Sequence, residues 1–533
     1  MTQSLKEGVL DLLIIGGGIT GVGIALDAVT RGLTVGLVEM QDFAEGTSSR
    51  STKLVHGGLR YLKQLQIKEV VELGRERAIV YENGPHVTTP VRMLLPFYKG
   101  GTFGPFFTAL GLIIYDILAG VKKSERRFML SADDTAKCEP LVKKEDLLGG
   151  GLYVEYRTDD ARLTIEVIKA AAERGAIALN YTKAISIRSN NFTFTVTLED
   201  QLTGETYKVK AKKVVNAAGP WVDEVRKLAG ELTEKQLILS KGVHLVFDQE
   251  VFPLKQAIYF NTQDGRMVFA IPRDGKTYVG TTDTFYEGDP KDMHITAEER
   301  VYLLDAIYFM FPSLASKGLK IESGWAGVRP LIHVDGKSPS EISRKNEIWQ
   351  SKNGLITIAG GKLTGYRKMA EKIVDLLCKQ LQNEFGKKST SCITKHLSIS
   401  GGDVSGSKFF DHYVQAQIGN GVKLGLSVEE TEQLARHYGT NVNKVYAYMK
   451  QAKGSLPPVI YGLLYYSIFY EAVAKPVDFF IRRTGALFFN IAFVEEHKEA
   501  VIDEMSTLFE WTVEQKVLHT IQLQEALANA KKA

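Results

Sequence analysis

Three hydrophobic runs open the chain. Leu12-Leu13-Ile14-Ile15 is short and uninterrupted, Ile24 to Arg31 repeats with helical spacing, and Thr34 to Glu39 returns to a strand pattern. A continuous apolar run of that length suits a strand buried on both faces, so the order strand, turn, helix, strand is predicted for residues 11–40. Residues 52–82 set Lys, Arg and Glu against Leu, Val and Ile and predict a helix. Residues 185–215 alternate apolar with polar (FTFTVTLED, TYKVKAKKVV), which predicts antiparallel strands returning to a core strand that ends near Ala218. Strand-like text continues through 243–282. A helix follows from about 296 to 311, stopped by Pro312, and another runs from Tyr366 to Leu381. Ser400-Gly401-Gly402 punctuates the chain, and from Ser427 onward nearly every residue reads as helix. A boundary is therefore predicted between about 390 and 405.

Composition narrows the class. Hydrophobic residues make up 44% and charged residues 24% of 533 residues, a globular balance that excludes disordered or fibrous chains. The net charge of +4 is too small for a dedicated nucleic-acid binder. Cys138, Cys378 and Cys392 form no CxxC, so neither a disulfide framework nor a metal site is expected, and a reducing, cytoplasmic compartment fits. The opening residues carry Lys6, Glu7 and Asp11 and do not read as a secretory signal. The uncharged stretch that bears on a membrane, Gly100 to Tyr115, has sixteen residues, short of the roughly 20 a spanning helix needs.

Candidate chemistry begins at Gly16-Gly17-Gly18-Ile19-Thr20-Gly21, a GxGxxG that follows a strand and opens a helix. Glu39 stands 18 residues after Gly21, at the end of the second strand. Gly16 allows the turn, Gly18 lets backbone approach a pyrophosphate, Gly21 lets helix and strand close up, and Glu39 accepts from a ribose hydroxyl. The acidic residue argues against a 2′-phosphate. Between FAD and NAD, the motif's position at the start of the chain and the lack of a second GxGxxG favour FAD. Gly149-Gly150-Gly151 lacks the third glycine. The two P-loop-like tails, Gly275-Lys276-Thr277 and Gly336-Lys337-Ser338, have Ala270 and Leu331 where a first glycine should stand, so ATP is not supported.

Beyond that motif, QDFAEGTSSRSTKLVHGGLRYL (41–62), VVNAAGPWVD (214–223), KGVHLVFD (241–248), RMVFAIPRDGKTYVGTTDT (266–284), SGWAGVRPL (323–331), EISRKNE (341–347), AGGKLTGYRKMAEKIVD (359–375) and PVDFFIRRTGALFF (476–489) are spread along nearly the whole chain. With Gly16–Gly21 and Glu39 they closely resemble the FAD-dependent glycerol-3-phosphate dehydrogenases and oxidases of the D-amino-acid-oxidase-like flavoproteins, in their aerobic Gram-positive branch. The resemblance implies an α/β fold with a helical addition: a Rossmann-like FAD-binding domain, a mixed β-sheet substrate domain interleaved with it, and an all-helical C-terminal domain. Residues 1–395 would hold the first two, with FAD segments at about 10–90, 150–240 and 325–390 and substrate segments at about 91–149 and 241–324; the helical domain would occupy about 400–533.

The resemblance further implies non-covalent FAD and sn-glycerol 3-phosphate as substrate, oxidised at C2. Arg329, Arg344 and Lys362 are placed at its phosphate, with Arg60 and Tyr61 nearby; a dianion calls for clustered cations, and arginine offers a planar fork of donors. His56 is the first candidate for the base that takes the hydroxyl proton, with contact to the flavin ring alone as the other reading, and His244 is a weaker candidate. Cofactor contacts are expected from Ile15, Gly16, Gly17, Gly18, Ile19, Thr20, Gly21, Glu39, Met40, Thr47, Ser48, Ser49, Lys53, His56, Gly57, Gly219, Gly361, Lys362, Leu363 and Thr364. Backbone N–H groups at the 360–364 helix start are suited to stabilising negative charge on the flavin.

Only eleven residues, Ile332 to Ile342, separate the GVRPL and ISR segments, where some related oxidases carry an insertion; this favours a quinone acceptor over O2, which would give hydrogen peroxide. A quinone reductase meets the cytoplasmic face of a membrane, and Gly104 to Val121, followed by Lys122-Lys123 and Arg126-Arg127, reads either as an interfacial helix or as a buried core helix. Peripheral association and a homodimer are both compatible with the sequence. A reading of another class is a non-catalytic flavin-binding interaction protein, against which the clustered cations stand; a further enzymatic alternative is an amine or amino-acid oxidase, which no motif supports.

Overall fold

The computed structural model describes residues 2–56, 67–100, 126–190, 193–230, 236–332 and 346–532. Along it, the elements that shape the site are β1 (Val9–Ile15), α1 (Ile19–Thr30), β2 (Val35–Val38), β3 (Thr206–Asn216), β4 (Leu237–Asp248), β5 (Ile321–Ile332), β6 (Ile356–Ala359) and α2 (Tyr366–Phe385). β1 lies at the centre of the first sheet, parallel to β3 on one side and β2 on the other; β6 continues beyond β3, and Ile177–Leu179 beyond β2. Its run of apolar residues is explained by that place. Leu12 and Ile14 face a core shared with α1, while Leu10, Leu13 and Ile15 face a second core on the other side of the sheet. Helix α1 packs between Asp160–Ala172 and α2, which closes one face of the sheet.

A second, mainly antiparallel sheet pairs β4 with β5 and with Lys276–Gly280, and continues through Met267–Arg273 and Ala257–Asn261 to Thr88–Tyr98 and Leu147–Thr158. Its two faces meet different partners. Val243, Leu245 and Phe247 pack toward the helix Ala297–Met310, whereas Val246, Tyr278 and Trp325 pack into a core with the C-terminal helices. The helix Ala297–Met310 begins at a capping box of Thr296 and Glu299 and ends before Pro312, as its sequence predicts.

Several boundaries differ from the sequence expectation. The span 52–82 is not one helix: Leu54–Val55 pairs antiparallel with Tyr156 and Arg157, and helix begins at Ile67. The second sheet takes in Leu147–Thr158 and all of β5, parts of which were assigned to the nucleotide side, because both strands pair within it. The C-terminal helices begin at Phe410, before Ser427. Gly419 and Gly421 obscured that first helix; a Cβ on Gly421 would overlap Thr431 of the crossing helix, so the glycine permits close packing. The interfacial candidate 104–121, Gly57, Arg60, Tyr61 and Arg344 lie outside the described residues. Among the described residues, no helix is long and apolar enough to cross a membrane.

Candidate active site

The carboxyl ends of β1, β3 and β6 open on a cavity of about 920 Å³ that runs between the two sheets. Crevices of this kind, outside the strand ends of an open parallel sheet, are where such folds take ligands. At one end stands the glycine turn. Gly16 adopts φ +118°, and a Cβ there would collide with the backbone at Ala217. Gly21 is equally constrained, since its Cβ would overlap the Gly16 carbonyl oxygen. Ile15, Gly16, Gly18, Ile19 and Thr20 border the cavity, with Gly18 at the N-terminus of α1; Gly17 and Gly21 stand behind the wall and shape it.

Glu39 also borders the cavity. Its carboxylate accepts from the backbone N–H of Gly17 at 2.7 Å and of Gln41 at 2.9 Å. Burial, with the nearby Glu45 and Asp42 charges, nonetheless pushes its pKa up to about 7, because the two N–H groups only partly offset the loss of water. Met40, Thr47 and Ser48 continue the wall: Ser48 Oγ accepts from Ile19 N at 3.0 Å, and Thr47 Oγ1 donates to the Val328 carbonyl at 2.7 Å. Gly219, with φ +55°, faces them across the cavity.

At the other end the second sheet contributes. Arg329 on β5 lies opposite Ser240 of β4, with Nη2 donating to Thr281 Oγ1 at 3.1 Å and Nη1 3.5 Å from Asp283 Oδ1. His56, Gly361, Lys362, Leu363 and Thr364 border the same space. Thr364 fastens the two segments together: its hydroxyl accepts from His56 N and donates to His56 O, each at 3.1 Å. The His56 ring meets Phe269 edge-on at 6.1 Å, and Phe269 stacks on Tyr259 at 4.2 Å.

Two expected contacts and one base candidate are placed elsewhere. Lys53 is buried and turned from the cavity, its ammonium donating to Asp160 Oδ1 at 2.6 Å and Ser49 O at 2.9 Å; Ser49 is buried beside it. A basic residue in a loop shows nothing of the side to which it points, and the acid that captures this one is 107 residues away. His244 is fully buried, stacked on Trp325 at 4.7 Å and hydrogen-bonded through Nε2 to Thr52 Oγ1 at 3.1 Å. Burial, with Arg329 and Lys53 nearby, holds its imidazole well below the usual pKa, so it remains neutral and out of reach of the cavity.

Tyr259, Arg266, Phe269, Thr281 and Asp283 border the cavity and were not singled out in the sequence. Tyr259 and Phe269 were recoverable, because pairing the strands around the turn at 262–266 sets them directly opposite each other.

A parallel sheet core with a glycine turn at the head of its first helix, a half-buried acid at the end of its second strand and a long cavity shared with a second sheet defines a dinucleotide-binding oxidoreductase. The family model described as FAD dependent oxidoreductase matches residues 11–367, and the chain belongs to that family. A second, the C-terminal domain of alpha-glycerophosphate oxidase, matches residues 392–516. The chain is 58% identical over 536 residues to the aerobic glycerol-3-phosphate dehydrogenase of Bacillus subtilis, covering 99% of this chain and 97% of that protein. It is 58% identical over 534 residues to the protein of the same name from Staphylococcus haemolyticus, covering 99% and 96%. The glycerol-3-phosphate dehydrogenase from Bacillus halodurans, solved in complex with FAD, superposes with a TM-score of 0.85 at 48% identity, covering 99% of this chain and 96% of that one. The L-alpha-glycerophosphate oxidase from Mycoplasma pneumoniae, at 22% identity and a TM-score of 0.58 over 72% and 97% of the two chains, shares the fold. The residues present fit FAD: the turn at Gly16–Gly18 leaves a cradle that any Cβ at Gly16 would disturb, Glu39 is set for ribose hydroxyls, and the cavity reaches on to His56 and Lys362.

Proposed function

We propose that the protein oxidises sn-glycerol 3-phosphate at C2 to dihydroxyacetone phosphate. The observation that carries this reading is the convergence of Arg329, Lys362 and His56 on the cavity end away from the glycine turn. FAD, when bound, supplies the two-electron acceptor for the hydride that leaves C2. Arg329 and Lys362 give the substrate phosphate two cations in a partly dry site, where charge-assisted hydrogen bonds are strong. Thr281 and Asp283 hold the Arg329 guanidinium in place. An imidazole nitrogen of His56 takes the C2 hydroxyl proton, and the reciprocal Thr364 hydrogen bonds fix the backbone that carries that ring. The stacked Tyr259 and Phe269 screen this end from water. Arg60, Tyr61 and Arg344 complete the phosphate site in this reading, on the strength of their sequence segments.

Electrons then pass to a quinone, and the protein works at the cytoplasmic face of a membrane without crossing it. The eleven residues Ile332 to Ile342 between the GVRPL and ISR segments support quinone over O2. Incubating the holoenzyme with sn-glycerol 3-phosphate and a quinone analogue is expected to yield dihydroxyacetone phosphate without hydrogen peroxide. Rapid peroxide formation in air would overturn the acceptor assignment, and no ketone product under any acceptor would overturn the substrate assignment.

A further inference from the structure

The tail segment Ile481-Arg482-Arg483 has no part in this chemistry, yet both arginines are almost fully buried, at 2% and 1% exposure. They belong to the helical turn Phe479–Arg483 and reach back 440 residues in sequence to one carboxylate. Arg482 Nε donates to Asp42 Oδ2 at 2.6 Å, and Arg483 Nη1 and Nη2 donate to Asp42 Oδ2 and Oδ1 at 2.8 and 2.9 Å. Asn180 Nδ2 adds a fourth donor at 3.0 Å. Arg482 Nη2 also lies 3.3 Å from Glu45 Oε2 and donates to Asp478 Oδ1 at 2.6 Å.

Asp42 and Glu45 belong to the loop between β2 and the turn Thr47–Ser49. Met40, Glu45, Gly46, Thr47 and Ser48 of this loop form the cavity wall beside the glycine turn. On its inner side the loop is fastened to that turn by Ala44 N donating to Gly17 O at 3.1 Å and by Ile19 N donating to Ser48 Oγ at 3.0 Å. On its outer side it is held by the two arginines of the C-terminal region. Charge gives this grip a second purpose. Glu39, Asp42 and Glu45 gather three carboxylates along this segment, and the guanidinium groups behind them offset their mutual repulsion.

We propose that Arg482 and Arg483 are positioning residues of the nucleotide site: the C-terminal helices hold the 40–48 loop in its FAD-binding shape, so FAD binding and C-terminal docking are linked equilibria. The proposal rests on FAD as the occupant of the cavity and is independent of the substrate. Linkage is reciprocal, so FAD must stabilise the docking of the C-terminal turn as much as docking favours FAD.

The test uses the full chain stripped of FAD and titrated with FAD below its unfolding range. Arg482→Gln and Asp42→Asn are each expected to raise the FAD Kd by about tenfold or more, and the double variant, which replaces an ion pair with two amides, to lose less than the two single effects combined. A purely stabilising role would lower the unfolding temperature of the FAD-free chain and leave Kd unchanged. Folded single variants with Kd within about twofold of wild type would therefore overturn the proposal. Failure of the wild type to bind FAD would instead overturn the cofactor reading. Hydrogen exchange on the wild-type chain needs no variant: FAD is expected to slow exchange at 40–48 and at 476–484 together, and unchanged exchange at 476–484 would also overturn the proposal.

Discussion

Truncating Arg329 to alanine removes one of the two cavity-lining cations, Arg329 and Lys362, that the proposed reading sets at a substrate phosphate. Loss of one charge-assisted contact costs about 1.5–3 kcal/mol, or one to two decades in affinity. Arg329→Ala is therefore expected to raise KM for sn-glycerol 3-phosphate by that factor with FAD retained; steady-state kinetics beside the flavin spectrum checks both. His56→Ala removes the proposed proton acceptor and is expected to lower kcat by about two decades or more and to flatten its pH profile. Glu39 makes an expectation for the FAD-free chain. Its fold-raised pKa of about 7 means that its contribution to stability is complete below the ordinary carboxyl value of 4.5 and is lost as pH rises through 7. FAD favours the ionised form, since ribose hydroxyls donate to a carboxylate. FAD affinity should then rise by about tenfold from pH 6 to pH 8, and Glu39→Gln should abolish that rise in a fluorescence titration. The glycines and Glu39 were legible because a turn, a helix start and a strand end lie within one short stretch. Lys53 was misread because the placement of its ammonium depends on Asp160, far away in the sequence.

Elements carried by a single periodicity were legible, and those decided by pairing were not. β1, α1, β2 and α2 follow from apolar runs and helical spacing, and the 182–216 strands from alternation. Leu54–Val55 reads as the start of a helix until Tyr156 and Arg157 are known to lie beside it. The base candidate His244 was misjudged for the same reason: only the pairing of β4 with β5 sets it opposite Trp325 and seals it from the cavity. The junction of β1 and α1 gives the sharpest element-scale expectation. Gly21→Ala drives a methyl into the Gly16 carbonyl, an overpacking that costs about 1–3 kcal/mol and displaces the turn that faces FAD. The variant should purify with depleted flavin and a lowered unfolding temperature, measured by the ratio of visible to ultraviolet absorbance and by thermal denaturation.

At the scale of the whole molecule, the C-terminal helices are built into the rest of the protein by an apolar core beneath the second sheet and by buried ion pairs with the helix Asp160–Ala172. Arg162 and Lys169, on the helix Asp160–Ala172, both pair with Glu471 in the C-terminal region, and all three side chains are almost without exposure. Glu471→Gln leaves the two cations short of an acid, and breaking such a buried pair costs about 3–5 kcal/mol; chemical denaturation should show the loss. None of this was legible beyond the boundary near residue 400, because sequence periodicity shows which face of a helix is apolar and not what covers it. The resemblance in PVDFFIRRTGALFF marked the segment without revealing that it reaches the nucleotide loop. The central claim, that this cavity oxidises sn-glycerol 3-phosphate with its phosphate on Arg329, is tested most directly by anaerobic rapid mixing of the holoenzyme with that substrate while flavin absorbance is followed. Fast bleaching in the wild type, with Arg329→Ala requiring one to two decades more substrate for the same rate, is the predicted result. A flavin spectrum that stays oxidised in the wild type at saturating substrate would contradict the account.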